Sequence, residues 1–373
     1  MREVIDDLLR WWRADEPVGM ATVVATWRSA PRQPGATMLV GPEGTAVGSV
    51  SGGCVEGAVY DLCQEVVAGA APGLHRYGVS DDDAFAVGLT CGGTIELYVE
   101  RVDRQTFPRL DEVAESVDKG VPVAVLTCVE GPTERLGRHL VIWPDRREGT
   151  LGSARLDDAA TDDGRGLLAT GRTGVLHYGP DGQRRGAGLS VLVRAYAPRP
   201  RMIVFGAIDF AAAVARIGAF LGYHVTVCDA RPVFATPRRF PDADDVVVEW
   251  PHRYLTAEVE AGRIDERTVV CVLTHDPKFD VPVLRVALDL PLAYIGAMGS
   301  RRTHDDRLER LRAAGIGADA LGRLSSPIGL DLGARTPEET AVSIAAEIIA
   351  SRWGGGGQRL SDTEGRIHGT TVT

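Results

Sequence analysis

The chain has 373 residues, more than one ordinary hydrophobic core holds, so its length predicts two domains. Hydrophobic residues make up 44% and charged residues 25%, values typical of globular proteins that fold without metal or disulfide staples. The net charge is −10 and the sequence carries no basic stripe, so nucleic acid is not an expected partner.

Cysteine usage and the N-terminal sequence predict a cytoplasmic protein. The six cysteines are spread out, with no CxxC pair and no Cys/His cluster at zinc spacing. The opening sequence MREVIDDLLRWWRADEP is charged and amphipathic, unlike a signal peptide. No apolar run approaches the roughly 20 residues that a membrane span needs. We therefore expect reduced thiols and no membrane partner.

The first half of the chain mixes strands and helices. Apolar spacing predicts a helix at 4–13, strands at 19–26, 36–41 and 45–50, a loop and helix through 51–69, a strand at 94–101, a helix at 106–119 and a strand at 121–129. The segment 130–195 is rich in Gly, Asp and Arg, and its short strands cannot be ordered from the sequence.

The second half follows a different pattern. Two prolines in RAYAPRPRM (194–202) predict a linker, because proline fixes φ and disfavours a helix before it. Apolar strands then alternate with helices, which predicts a doubly wound parallel sheet. The last helix is expected to start at Thr336, with Glu339 completing a capping box. The predicted divisions are an N-terminal mixed α/β domain at 1–197, a C-terminal Rossmann-like domain at 198–353 and a flexible tail at 354–373.

The loop after the first strand of the second half lies where a dinucleotide fingerprint would occur. Gly206 fits the first glycine of G-x-G-x-x-G/A, but Ile208 replaces the glycine that lets the pyrophosphate approach the backbone. Asp209 adds a negative charge where a phosphate would bind. Asp229 lies near the usual ribose-binding position. We expect weak or absent NAD(P) binding, as in a Rossmann scaffold whose nucleotide site has degraded, and tight binding of a dinucleotide is the alternative.

Two Cys/Gly loops in the first half are candidate ligand sites. Their residues are Ser51, Gly52, Gly53 and Cys54 in one loop and Cys91, Gly92 and Gly93 in the other. Ser51 could cap the following helix, the helix dipole would favour a Cys54 thiolate, and the glycines would expose backbone N–H groups. Thiolates suit metal–thiolate or sulfur-transfer chemistry. The alternative is that both cysteines are small buried apolar residues.

The remaining cysteines fall inside helix or strand patterns, where burial is the expected role. They are Cys63, Cys128, Cys228 and Cys271.

Two loops of the second half also carry chemistry. His275 and Asp276 follow a strand, where ligands of parallel sheets bind, and could orient a ligand or move a proton. Gly299, Ser300 and Arg301 open a helix and suit an anionic group. The alternatives are a capped strand end with an exposed histidine and a solvated basic helix start.

Five segments together resemble one family. They are GSVSGGCVEGAV, GLTCGGTIELYVE, THDPKFDVPVL, YIGAMGSRRTH and SPIGLDLGARTPEETAVSIAAEII. In this order they resemble the XdhC/CoxI family, the accessory proteins of xanthine dehydrogenase and carbon monoxide dehydrogenase. The resemblance runs from about residue 18 to about residue 353, nearly all of the chain expected to be ordered. In place of the family's more common GAGHVA the chain has GAIDFA, which puts ligand contacts of that loop in doubt.

The resemblance implies a function as well as a fold. It implies an accessory protein rather than an enzyme, which binds molybdenum cofactor (molybdopterin), assists its sulfuration and delivers it to an apo-enzyme. The implied partner is a xanthine-dehydrogenase-type molybdoenzyme, while a cysteine desulfurase and a second copy of the chain are further candidate partners. By motif match, the two cysteine loops and the His275 and Gly299 loops fall on family motifs.

Two other function classes stay open beside the family interpretation. One is an NAD(P)-dependent oxidoreductase that uses the Rossmann domain, and the other is a protein adaptor without a ligand. Purine oxidation by this chain alone is not expected, because the sequence has no iron–sulfur cysteine spacing. We expect the two cysteine loops to share one site that faces the cleft between the domains.

Overall fold

The structure is a computed structural model that describes residues 2–27, 32–78, 93–184 and 186–364. The chain divides into two compact units, one ending at Pro198 and one spanning Arg199–Glu364. The expected fold class is confirmed, because a mixed α/β unit precedes a unit built on a parallel sheet.

The N-terminal unit starts with a helix followed by an antiparallel sheet. Its first elements are α1 (Ile5–Arg13), β1 (Val18–Trp27), β2 (Thr37–Val40), β3 (Ala46–Gly48), α2 (Glu56–Val67), β4 (Gly73–Tyr77) and β5 (Thr94–Val102). The strands lie in the order β3-β2-β1-β5-β4. Side chains alternate between the two faces of β1, so Val18 and Met20 join one apolar cluster while Ala21 and Val23 join another.

The same succession of elements then occurs a second time. The elements are α3 (Leu110–Asp118), β6 (Val123–Glu130), β7 (His139–Ile142), β8 (Arg147–Gly149), α4 (Ala154–Thr170), β9 (Gly174–Tyr178) and β10 (Leu189–Tyr196). Their strand order, β8-β7-β6-β10-β9, is that of the first sheet, strand for strand. The unit therefore consists of two structural repeats, and we call residues 5–102 the first repeat and residues 110–196 the second repeat.

The two repeats share one core. Residues from the inner faces of both sheets pack together with α1 and α3 in a single apolar cluster that includes Met20, Val125 and Trp143. Helix α2 packs on the other face of the first sheet, and α4 packs on the other face of the second. The segment 130–195, which could not be ordered from the sequence, is thus most of the second repeat.

The C-terminal unit is a parallel sheet with helices between its strands. Its elements are β11 (Arg201–Phe205), α5 (Asp209–Phe220), β12 (His224–Cys228), β13 (Asp245–Val247), α6 (Pro251–Glu260), β14 (Val269–Val272), α7 (Pro277–Leu288), β15 (Tyr294–Ala297), α8 (Arg301–Ala313), α9 (Ala318–Leu321), β16 (Leu324–Ser325) and α10 (Pro337–Trp353). The order β13-β12-β11-β14-β15-β16 puts β11 between β12 and β14. The loops after β11 and β14 therefore flank the point where the strand order reverses, the usual ligand position in such sheets.

The start of α10 confirms the predicted capping box. The Thr336 hydroxyl accepts a hydrogen bond from the Glu339 N–H at 3.2 Å, and the Glu339 carboxylate accepts one from the Thr336 N–H at 3.1 Å. These two bonds satisfy donors that a helix start otherwise leaves open.

Candidate cofactor site

Cys54 lies in a loop that takes the place of a first helical turn. Helix α2 begins only at Glu56, and we call residues 49–55 the Cys54 loop. Gly52 and Gly53 have φ angles of +76° and +114°, a region that residues with a side chain rarely adopt, and a Cβ on either would meet nothing within 4 Å. The loop thus turns through two glycines in open space and holds Cys54 partly exposed.

The carboxylate of Glu56 organises this loop. It accepts hydrogen bonds from the Ser49 hydroxyl at 2.7 Å and from the N–H groups of Ser51 and Gly53 at 2.9 and 2.8 Å. A further bond comes from the Ser51 hydroxyl. Burial alone would raise the pKa of Glu56, but the bonds from Ser51 and Ser49 outweigh it and lower the pKa to about 2. The role of Glu56 as the anchor of the loop was not predicted from the sequence.

The structure corrects two expectations about this loop. Ser51 is not the N-cap of α2, since Val55 holds that position; instead the Ser51 hydroxyl accepts the N–H groups of Cys54 and Val55, both at 3.0 Å. The glycines do not expose open N–H groups, because the Gly52 N–H is bonded to Ser49 and the Gly53 N–H to Glu56. A ligand here would meet the thiol and the glycine backbone, beside a negative charge that disfavours an anion.

The second cysteine loop is described only at its end. Cys91 and Gly92 lie outside the described residues, while Gly93 is buried directly before β5. A site shared by Cys54 and Cys91 therefore stays a prediction.

The other four cysteines are buried side chains of the cores, as the sequence predicted. Burial raises the pKa of Cys63, Cys228 and Cys271 to about 12 and that of Cys128 to about 11. Thiols with such pKa values stay protonated near neutral pH and are poor nucleophiles. Cys54 is thus the one cysteine of the described residues with partial exposure.

In the C-terminal unit, the loops after β11 and β12 are tied together. Gly206 leads into Ala207, whose N–H donates to the Asp229 carboxylate at 2.7 Å. The Arg231 guanidinium donates to the same carboxylate through Nε at 2.9 Å and Nη2 at 2.8 Å. Burial opposes ionisation of Asp229, yet the bonds from Arg231 and Ala207 lower its pKa below the ordinary value. Asp229 lies directly after β12, is 2% exposed and braces the loop, and the ribose-binding role expected for it stays a prediction.

Asp209 is similarly engaged at the first turn of α5. Its carboxylate is 3.2 Å from Nη2 of Arg239, whose other nitrogen, Nη1, donates to the Ala207 carbonyl at 3.2 Å. The chain's own arginines therefore fill part of the space beside the Gly206 loop.

His275 and Asp276 follow β14 but have different surroundings. Asp276 is the N-cap of α7 and accepts the Lys278 N–H at 3.1 Å, with the Lys278 ammonium 3.0 Å from the carboxylate. The neighbouring His275 is exposed. Asp276 thus fixes the helix start, and His275 is the more exposed residue of this pair.

Gly299, Ser300 and Arg301 lie after β15, at the start of α8. The Ser300 hydroxyl is the N-cap and accepts the Thr303 N–H at 3.2 Å. Arg301 and Arg302 are both exposed. A basic pair beside a helix N-terminus can attract an anionic group.

A buried ion pair that the sequence did not reveal joins these two loops. Nη2 of Arg307 lies 3.0 Å from the Asp280 carboxylate and donates to the Met298 carbonyl at 2.7 Å. The Thr274 hydroxyl also donates to Asp280. The pair, 3% exposed at each residue, therefore links the loop before His275 with the loop before Gly299.

Two other kinds of site do not occur in the described part of the chain. No grouping of three or more His, Cys, Asp or Glu side chains that could hold a metal ion is found within residues 2–27, 32–78, 93–184 and 186–364. Within the same ranges, none of the helices combines the length and apolar character needed to cross a membrane.

Comparison with protein families identifies the class. The family model of the XdhC Rossmann domain matches residues 202–348, and the model of the XdhC and CoxI family matches residues 11–78 and 116–179. The last two stretches fall on equivalent parts of the first and second repeats. The chain belongs to the XdhC and CoxI family.

Three relatives extend over most of the chain. A protein of Bacillus subtilis (strain 168), named as a probable subunit of xanthine dehydrogenase, is 29% identical over 344 residues, covering 90% of this chain and 94% of its own. The molybdenum cofactor insertion chaperone PaoD of Escherichia coli (strain K12) is 26% identical over 333 residues, covering 89% and 83%. A crystal structure described as a xanthine dehydrogenase from Bacillus halodurans is 26% identical, with a TM-score of 0.68 and coverage of 96% and 97%.

Proposed function

We propose that this chain is an accessory factor that binds molybdenum cofactor, assists its sulfuration and inserts it into a xanthine-dehydrogenase-type molybdoenzyme. The observation that carries the proposal is the similarity to PaoD, a molybdenum cofactor insertion chaperone, across 89% of this chain. The partly exposed Cys54 on a hydrogen-bonded loop supports a role in handling a sulfur-bearing cargo.

We propose separate ligand contacts in each of the two units. In our proposal the Cys54 thiol contacts the sulfur-bearing part, and the turn through Gly52 and Gly53 leaves room for a flat ring system. Because Glu56 places a negative charge at this loop, we do not assign the cargo phosphate to it. Within the C-terminal unit, Arg301 and His275 are the proposed contacts of an anionic group, since both are exposed and follow neighbouring strands of the parallel sheet. The ion pair of Asp280 and Arg307 positions their loops.

The remaining parts of the proposal concern partners and setting. We propose a cysteine desulfurase as the sulfur donor and the cytoplasm as the compartment, where thiols stay reduced. The alternative of an NAD(P)-dependent oxidoreductase is less well supported, because Asp229 already accepts bonds from Ala207 and Arg231. Titration with molybdenum cofactor distinguishes a ligand-free adaptor from the proposed accessory factor.

The test is anaerobic titration of the full chain with molybdenum cofactor. Cys54→Ala should weaken binding at least about tenfold, equivalent to ~1.4 kcal/mol, with little change in stability because the side chain is partly exposed. Cys63→Ala is the matched control, since it removes a thiol that is buried within α2.

Three outcomes separate the alternatives. Cofactor binding by the wild-type chain that survives Cys54→Ala, with full activation of the dehydrogenase, would contradict the role of Cys54. Absence of any cofactor binding would favour the adaptor, and tight binding of NAD(P)H would favour the oxidoreductase.

A further inference from the structure

Large apolar side chains project from two adjacent helices of the C-terminal unit. Helices α5 and α10 pack against each other in the unit's core. On their outer surfaces, Phe220 is 86% exposed, Trp353 62%, Val342 50% and Ile349 45%. Single exposed apolar residues are ordinary, but a gathered set marks an interaction surface.

The α10 residues form one stripe. Val342, Ala346, Ile349 and Trp353 follow one another at steps of four, three and four residues, which places them along one side of the helix. The opposite side of α10, with Ile344 and Ile348, is buried in the core. We call Val342, Ile349, Trp353 and Phe220 the α10 face.

Charges at the two ends of the stripe indicate what covers it. Glu338 and Glu339 lie in the first turn of α10, and Arg352 lies in the last turn. Two such helices side by side in antiparallel orientation would bring the acidic end of each to the basic end of the other. The helix dipoles favour the same orientation.

We propose that the α10 face binds the α10 face of a second copy of this chain, forming a two-fold symmetric dimer. A surface that is complementary to itself under two-fold rotation is what an isologous interface requires. With the axis between Ala345 and Ala346, Val342 lies opposite Ile349 of the second copy. Glu338 lies opposite Trp353, which places its carboxylate one residue along the helix from Arg352 of the second copy. Each contact occurs twice, and α5 with Phe220 extends the apolar area beside it.

The first experiment measures the mass of the full chain by light scattering after gel filtration, at roughly 50 µM. The wild-type chain should have twice the mass of one copy, and Ile349→Glu should weaken dimerisation at least about tenfold by burying a charge in the apolar centre. Val233→Glu is the matched control, because Val233 is 73% exposed but lies outside the α10 face. A wild-type chain that stays monomeric would overturn the proposal.

A charge exchange tests whether the occupant is a second copy. Glu338→Arg alone and Arg352→Glu alone should each weaken dimerisation severalfold, because each places like charges together at both ends. The combined variant restores the opposite charges and should recover the dimer. If the dimer formed through another surface, none of the three variants would change dimerisation. If a different partner protein covered the α10 face, the combined variant would show no recovery. Either result would refute the proposal. Molybdenum cofactor binding is measured separately, so failure of the dimer leaves the proposed function untouched.

Discussion

The two repeats of the N-terminal unit differ in the turn that leads into the second helix, although the same kind of hydroxyl–carboxylate hydrogen bond is found there in both. In the first repeat, Ser49 donates to Glu56 at 2.7 Å. In the second repeat, Thr150 donates to Asp157 at the same distance. Both pairs follow a glycine that ends a strand, and in both the acidic residue lies seven positions after the hydroxyl residue.

The difference lies in what separates the hydroxyl from the carboxylate. In the second repeat, Ser153 is an ordinary N-cap and α4 begins at Ala154. In the first repeat the corresponding turn is unwound, and α2 begins at Glu56 after Gly52, Gly53 and Cys54. The hydroxyl–carboxylate bond therefore belongs to the scaffold of both repeats, whereas the glycines and the cysteine are specific to the first. The candidate ligand-binding residues of this loop therefore lie in the first repeat, and the second repeat serves as an internal control.

The largest expected effect tests the shared scaffold. Gly48 and Gly149 have φ angles of +83° and +92°, and a Cβ on either would overlap a carbonyl oxygen, that of Thr37 or that of His139. Gly48→Ala and Gly149→Ala should each destabilise the protein by about 3 kcal/mol or more, because strain and overlap add. Urea unfolding followed by circular dichroism measures both. A large loss of stability in one variant and none in the other would contradict the structural equivalence of the two repeats.

The second prediction separates stability from function. Glu56→Ala and Asp157→Ala each leave backbone N–H groups without an acceptor, so each should lower the unfolding free energy by about 2 kcal/mol. Only Glu56→Ala should also lower molybdenum cofactor binding, by at least about tenfold, since only it releases the Cys54 loop. Equal losses of cofactor binding in the two variants would mean that the repeats do not differ in function.

Much of the fold could be predicted from local signals. The helix at 4–13, the strand at 94–101 and the capping box at Thr336 rest on apolar spacing and capping residues, and the structure places them within a few positions of the expectation. These features depend on neighbours in the chain, which a sequence displays directly.

The repeat and the details of the site could not be predicted in the same way. The repeats share strand order and a hydroxyl–carboxylate pair, but Cys54 corresponds to Arg155 when Glu56 is aligned with Asp157, so little sequence marks the duplication. Asp280 and Arg307 are 27 residues apart and meet only through the fold. The expectation of open N–H groups failed because the Ser49 hydroxyl accepts the Gly52 N–H, and Glu56, three residues beyond Gly53, turns back to accept the Gly53 N–H.

The smallest predicted effect is the contribution of the ionised Glu56 carboxylate to stability, which is measured from the pH dependence of unfolding. Its pKa falls from 4.5 to about 2 on folding, so its contribution to stability is fully present above pH 4.5 and is lost as the pH falls through about 2. The side chain is partly exposed and solvent screens its interactions, so we expect a contribution on the order of 1 kcal/mol. Glu56→Gln should therefore be less stable than wild type near neutral pH and should lose less stability than wild type between pH 5 and pH 3 (roughly the range set by the shift). Urea unfolding at a series of pH values measures the two slopes. Asp157→Asn is the matched variant in the second repeat. If Asp157→Asn, and not Glu56→Gln, reduced the loss of stability between pH 5 and pH 3, the distinction between the two loops would be wrong.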